Sequence, residues 1–283
     1  MTCIHSFANP FERGMQPPAR AVATSERDSQ RLFIGVSALL FLVSAGVTVV
    51  WCGSMSAMPG MSMQGGWTMS MAWMRMPGQS WIGAGGTFVA MWVVMMAAMM
   101  LPSLSAMLWR YRRALRRRRQ SGLGLLTAIA GAAYFFVWAL CGVGVFLGGA
   151  GIASTAMQWP ALAKIVPMAA GLVVLGAGAF QFTKWKDRHL ASCREEPMRG
   201  APAADPGSAW RHGLRLGMRC GVSCANLTAI LLVAGVMDLR TMAMVTVAIT
   251  AERIAPGGAR IARIVGAIAM SAGVLVFAGV VRL

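Results

Sequence analysis

"IGAGGTFVAMWVVMMAAMMLPSLSAML", Ile82 to Leu108, runs for 27 residues without a charged side chain. A helix rising 1.5 Å per residue crosses the roughly 30 Å hydrocarbon layer of a membrane in about 20 residues, so this run is long enough to span it. Working outward, six more apolar runs are read as spans: Leu32 to Cys52, Leu123 to Gly149, Ala161 to Thr183, Leu214 to Met237, Leu239 to Ala251 with its flanks, and Ile261 to Val281. The run from Leu239 is the shortest, with Arg240 and Glu252 crowding its ends. The expected fold is all-α, a polytopic membrane helix bundle of about seven transmembrane helices. Composition agrees, with 57% hydrophobic residues, 12% charged residues and a mean hydropathy of +0.61, outside the range of ordinary soluble domains.

The net charge of +17 is read through topology, because cytoplasmic loops retain Lys and Arg. With the N-terminus cytoplasmic, all but four of the 26 basic residues fall on the cytoplasmic side, the exceptions being Arg75, Lys164, Arg240 and Arg282. The opposite orientation reverses that distribution. The run "RYRRALRRRR", Arg110 to Arg119, is expected to anchor topology against anionic membrane lipid rather than to bind nucleic acid. Residues 1–30 read as a disordered cytosolic tail. Residues 31–283 read as the transmembrane domain, with a Met-rich extracytoplasmic loop over 53–81 and a cytoplasmic loop over 184–213.

The extracytoplasmic loop holds eight methionines between Met55 and Met76, including Met55, Met58, Met61 and Met63. Thioethers are soft, uncharged donors suited to Cu(I), and along a flexible loop two or three of them are able to converge on one ion. They also resist oxidation better than thiols do. A second reading is a Met- and Trp-rich interfacial segment with Trp67, Trp73 and Trp81 at headgroup level. The two are compatible.

In the Ile82–Leu108 run, Met91, Met95 and Met99 form a stripe at four-residue spacing, and Met96 and Met100 form a neighbouring one. Such stripes serve either as flexible core filling or as a soft-metal path. Two cysteines at helical spacing, Cys220 and Cys224, follow in "CGVSC", and His189 and Cys193 share that spacing in "HLASC". On the assigned topology these four face the cytoplasm, where they would receive an ion relayed from outside.

Three stretches resemble the bacterial DUF2182 family of metal-binding integral membrane proteins. "MWVVMMAAMMLPS", Met91 to Ser103, matches the family pattern MWxxMxxAMMxPS. "FQFTKWKDRHLASCREEP", Phe180 to Pro197, is similar to a lysine followed by two cysteine elements. "GMRCGVSCANLTAILLVAGVMDL", Gly217 to Leu239, followed by Glu252 and Arg253, resembles the family's cysteine-rich span and its closing acidic-basic pair. The chain departs from that pattern where His189 replaces a cysteine, Ser223 precedes Cys224 in place of a second adjacent cysteine, and Ala225 replaces a tryptophan. Cys-to-His keeps ligating capacity, whereas Cys-to-Ser weakens it.

The residues and the resemblance together lead to an expected multi-pass protein of the bacterial inner membrane. It would bind a soft metal, Cu(I), for transport, trafficking or delivery to membrane cuproenzymes. The alternative is a non-catalytic accessory subunit of a larger membrane complex. No Ser/His/Asp arrangement, phosphate-binding glycine loop or pair of intramembrane carboxylates suggests an enzyme.

Overall fold

The computed structural model describes residues 19–56, 60–63, 66–75, 78–117, 122–194 and 205–278. Eight helices lie among them: α1 (Ala19–Ser56), α2 (Trp81–Arg117), α3 (Leu123–Gln158), α4 (Pro160–Phe180), α5 (Lys184–Arg194), α6 (Pro206–Ala234), α7 (Leu239–Ile254) and α8 (Gly258–Phe277). The all-α expectation therefore holds. A small antiparallel hairpin, β1 (Met61–Ser62) with β2 (Thr68–Met69), is the exception. Residues 40–283 form one compact unit, and the chain up to Leu39 forms another.

Six of the described helices are long and apolar enough to cross a membrane: Arg27–Met55 within α1, then α2, α3, α4, α6 and α8. The seventh expected span is present as α7, but it has only 16 residues, about 24 Å of helix and short of a full crossing. It packs among α2, α6 and α8. Two further boundaries differ from the sequence reading. Residues 19–30, expected in the disordered tail, already belong to α1, and the expected loop 184–213 contains α5 and the first two turns of α6.

Local chemistry accounts for the helix limits. Pro160 and Pro206 open α4 and α6, where a missing N–H costs nothing. Asp205 caps α6 through the Ser208 amide, and Asp238 caps α7 through the Arg240 and Thr241 amides. α6 stops at Gly235, whose φ of +116° suits glycine and poorly suits other residues. Pro102 sits inside α2, a position that membrane bundles tolerate; Ser103 and Ser105 donate their hydroxyls to the Met100 and Pro102 carbonyls.

The buried face of α2 carries Trp92, Met95, Met96, Met99 and Met100. α2 packs on α3, which in turn packs on α6. Close approach is possible because glycines stand at the crossings. A Cβ on Gly142 of α3 would lie 2.6 Å from the Trp92 ring, and one on Gly213 of α6 would run into the Ala130 carbonyl and lie 2.7 Å from the Ala133 methyl of α3. Small residues at such crossings are how membrane helices gain van der Waals contact without a hydrophobic driving force between them.

Where the Met-rich segment was expected to be a flexible loop, it is docked. Met69 is buried with Ala153, Ala156 and Ala163 at the junction of α3 and α4, and Met63, Trp67, Trp73 and Met74 pack around that cluster. The Trp67 indole N–H donates to the Ala163 carbonyl at 2.9 Å. The tryptophans that suggested an interface anchor are thus partly used as a lid on the bundle's end, an arrangement that depends on small alanines far along the chain.

Candidate functional site

The side chains that meet in the core come from five helices. Cys220 and Cys224 lie one turn apart on the buried face of α6. Cys220 Sγ lies 3.9 Å from Met100 Sδ of α2 and 2.8 Å from the Tyr134 hydroxyl of α3. From α7, Arg253 Nη2 reaches Cys224 Sγ at 3.1 Å, donates to Ser223 Oγ at 2.7 Å and meets the Cys220 carbonyl at 3.3 Å. Its Nη1 faces Ser103 Oγ of α2 at 3.5 Å. A buried guanidinium is expensive unless hydrogen-bonded, and this one is held on two sides by oxygens and on a third by sulfur.

A second polar group backs the first. Lys186 of α5 and Glu252 of α7 form a 3.0 Å ion pair with both side chains almost wholly buried, at 1% and 2% exposure. Gln181 Nε2 donates to the same carboxylate at 2.7 Å. The Lys186 ammonium donates to the Ser223 carbonyl at 2.6 Å, and Asn226 Nδ2 donates to the Ala177 carbonyl at 3.1 Å. Ser223 therefore joins the two groups, its hydroxyl accepting from Arg253 and its carbonyl accepting from Lys186. Ionisable residues inside a membrane bundle are rare and mark functional positions.

Above the thiols, toward the docked hairpin, α2 carries the methionines and then an aromatic column. Met95, Met96, Met99 and Met100 are buried and Met91 is half-buried. Trp92 stacks on Phe88 at 6.1 Å between ring centres, and Phe88 lies 5.2 Å from Trp73 beside the hairpin. The Trp92 N–H donates to the Trp138 carbonyl at 3.0 Å.

The structure thus brings Met100, Cys220 and Cys224 together, with Met96 and Met99 on the same buried helix. The remaining sequence candidates lie elsewhere. His189 is half-buried on α5 with its ring 3.9 Å from that of Trp185. Cys193 lies in α5, but its side chain is outside the described residues, as is all of Met58. Met55 is half-buried at the end of α1, Met61 is exposed on β1 paired in register with Met69, and Met63 is half-buried against the hairpin cluster. Among the described residues, no three His, Cys, Asp or Glu side chains form a metal-holding group. The close donor set is therefore one thioether and two thiols, a soft combination that matches Cu(I) better than harder ions.

Sequence reasoning did not single out Tyr134, Gln181, Ser103 or Asn226 for the site. It took Lys186, Glu252 and Arg253 as parts of a motif or as charges at a span's end. The available signal was three ionisable residues in or beside apolar runs. Their mutual contacts, across 29 to 150 residues of chain for Arg253 alone, have no signature in spacing.

No curated protein and no solved structure matches the chain. Residues 89–276, which include α2 from its third turn, Cys220 and Cys224 and the whole of α7, match the family model PpoB2, described as a copper chaperone. The chain belongs to that copper chaperone family.

Proposed function

We propose that this is a multi-pass inner-membrane copper chaperone that takes Cu(I) from the Met-rich side, passes it along the Met91–Met100 face of α2 and holds it at Met100, Cys220 and Cys224 for delivery to a membrane cuproenzyme. The observation that carries this reading is the 3.9 Å approach of Cys220 Sγ to Met100 Sδ, with Cys224 one turn away. Donors about 2.3 Å from a metal at about 120° to one another lie about 4 Å apart, so the Cys220 and Met100 sulfurs already stand at coordination spacing.

The charge balance supports the same reading. Cu(I) held by two thiolates carries one negative charge, and the Arg253 guanidinium against Cys224 would offset it inside a low-dielectric core. Methionine, being neutral, adds a ligand without adding charge. Ser223, at a position where the resembling pattern has a further cysteine, accepts from Arg253 instead of offering a third thiolate. Two thiols and thioethers hold an ion less firmly than three thiolates, and a carrier has to release its cargo.

Metal analysis after anaerobic purification tests the reading. The protein should carry copper, and Cys220→Ser with Cys224→Ser should abolish the core equivalent. Replacing Met91, Met95 and Met99 with Leu should lower copper content while leaving expression unchanged, because the volumes are similar. Copper content unaffected by both sets of changes would refute the proposal.

A further inference from the structure

A second pair of sulfurs meets at the other end of α7, outside the site described above. On α1 the buried stripe is Ser44, Thr48 and Cys52, spaced four apart on one helix face. The two hydroxyls turn back onto their own helix, Ser44 to the Leu40 carbonyl and Thr48 to the Ser44 carbonyl. Cys52 instead reaches across to the turn between α6 and α7, where its Sγ lies 4.0 Å from Met237 Sδ. That turn is built to hold Met237 there. Gly235 supplies the positive φ that ends α6, the Asp238 amide donates back to the Gly235 carbonyl at 3.1 Å, and the Asp238 carboxylate caps α7.

We infer that Cys52 and Met237 form a second soft-metal site, for Cu(I), at the end of the bundle opposite Arg253. Three observations point the same way. The sulfur separation of 4.0 Å is that of two ligands on one trigonal ion. Cys52 is fully buried, whereas Met237 is half-buried and Asp238 is exposed, so the pair faces the protein surface on the Met237 side. The Asp238 carboxylate, within electrostatic reach of Cys52, places negative charge at that entrance. Met55 follows Cys52 by about one helical turn and is half-buried, offering a further thioether. Along α6, ten residues, about 15 Å of helix, separate Cys224 from the helix end just before Met237, and Cys52 lies outside the family match, which begins at residue 89. The pair is placed to load an ion before it enters the core.

The test is an anaerobic Cu(I) titration of the full-length protein in detergent against a chromophoric Cu(I) chelator. Wild type should bind two equivalents. Cys52→Ser and Met237→Leu should each remove one equivalent while the Cys220- and Cys224-dependent equivalent persists, and the double variant Cys220→Ser/Cys224→Ser should remove only the other. Met237→Leu conserves volume, so it reports on binding even where Cys52→Ser disturbs packing. Wild-type stoichiometry in the Met237→Leu and Cys52→Ser variants would overturn the second site. Wild-type stoichiometry in the Cys220/Cys224 variant would overturn the core reading and leave the second site standing.

Discussion

Arg253 and Cys224 are in direct contact across α7 and α6, with guanidinium nitrogen and sulfur 3.1 Å apart in a buried setting. A hydrogen bond involving a charged group contributes about 1.5–3 kcal/mol. If Arg253 stabilises the metal-loaded thiolates, Arg253→Met should weaken Cu(I) affinity by roughly ten- to a hundredfold in chelator competition. Arg253→Lys should recover part of that loss, since it keeps the charge but not the fork that meets both Cys224 and Ser223. Equal affinity in wild type and Arg253→Met would show that the contact is purely structural.

Lys186 and Glu252 form a buried pair on the far side of Ser223. Removing one partner leaves an uncompensated charge, so Lys186→Met or Glu252→Leu should each cost about 3–5 kcal/mol of stability, whereas the double change Lys186→Met/Glu252→Leu should cost much less. Thermal unfolding in detergent, arranged as a double-mutant cycle, measures the coupling. Additive losses would mean that the two charges do not depend on each other.

Gly213 lets α6 lie against α3 at the Ala130 carbonyl. A methyl there has backbone in its way and no flexible side chain to displace, so Gly213→Ala should destabilise the bundle by about 1–3 kcal/mol. Gly221→Ala, on the same helix with open space around it, is the matched control. It should be neutral or slightly stabilising in the same thermal assay.

Asp238 caps α7, and the hydrogen bonds from Thr241 and the α7 amides hold its carboxyl below the ordinary carboxylate range. A folded-state pKa below the unfolded one contributes stability that is present at neutral pH and is lost as the pH falls through the folded value. Asp238→Ala should cost about 1 kcal/mol at pH 7. The gap between wild type and variant should stay constant down to about pH 5 and close below about pH 4. A gap that widened on acidification would contradict the assignment.

Much of the architecture was legible along the chain. Ile82 to Leu108 demanded a membrane helix by length and apolarity alone, and of its two neighbouring stripes, Met91/Met95/Met99 and Met96/Met100, all but the half-buried Met91 are buried. The run from Leu239 was weak for a physical reason, being only 16 helical residues that rely on neighbouring helices rather than on length. The Met-rich segment between α1 and α2 misled in the other direction. Its Pro, Gly and Ser looked like a loose tether, yet Met69 and Trp67 dock on alanines about 90 residues away.

What belonged to single segments, namely helix length, inward stripes and caps, followed from residue order because those quantities depend on neighbours a few positions apart. Which sulfurs meet did not. Cys220 with Met100 spans 120 residues and Cys52 with Met237 spans 185, and no local energy distinguishes those partners from other thiols and thioethers nearby in the chain. The pairing was decided by how closely the helices pack, through Gly142 under Trp92, Gly213 against Ala130 and the turn at Gly235. A side chain's reach is only a few ångströms, so the helix axes must be placed before any two donors share an ion.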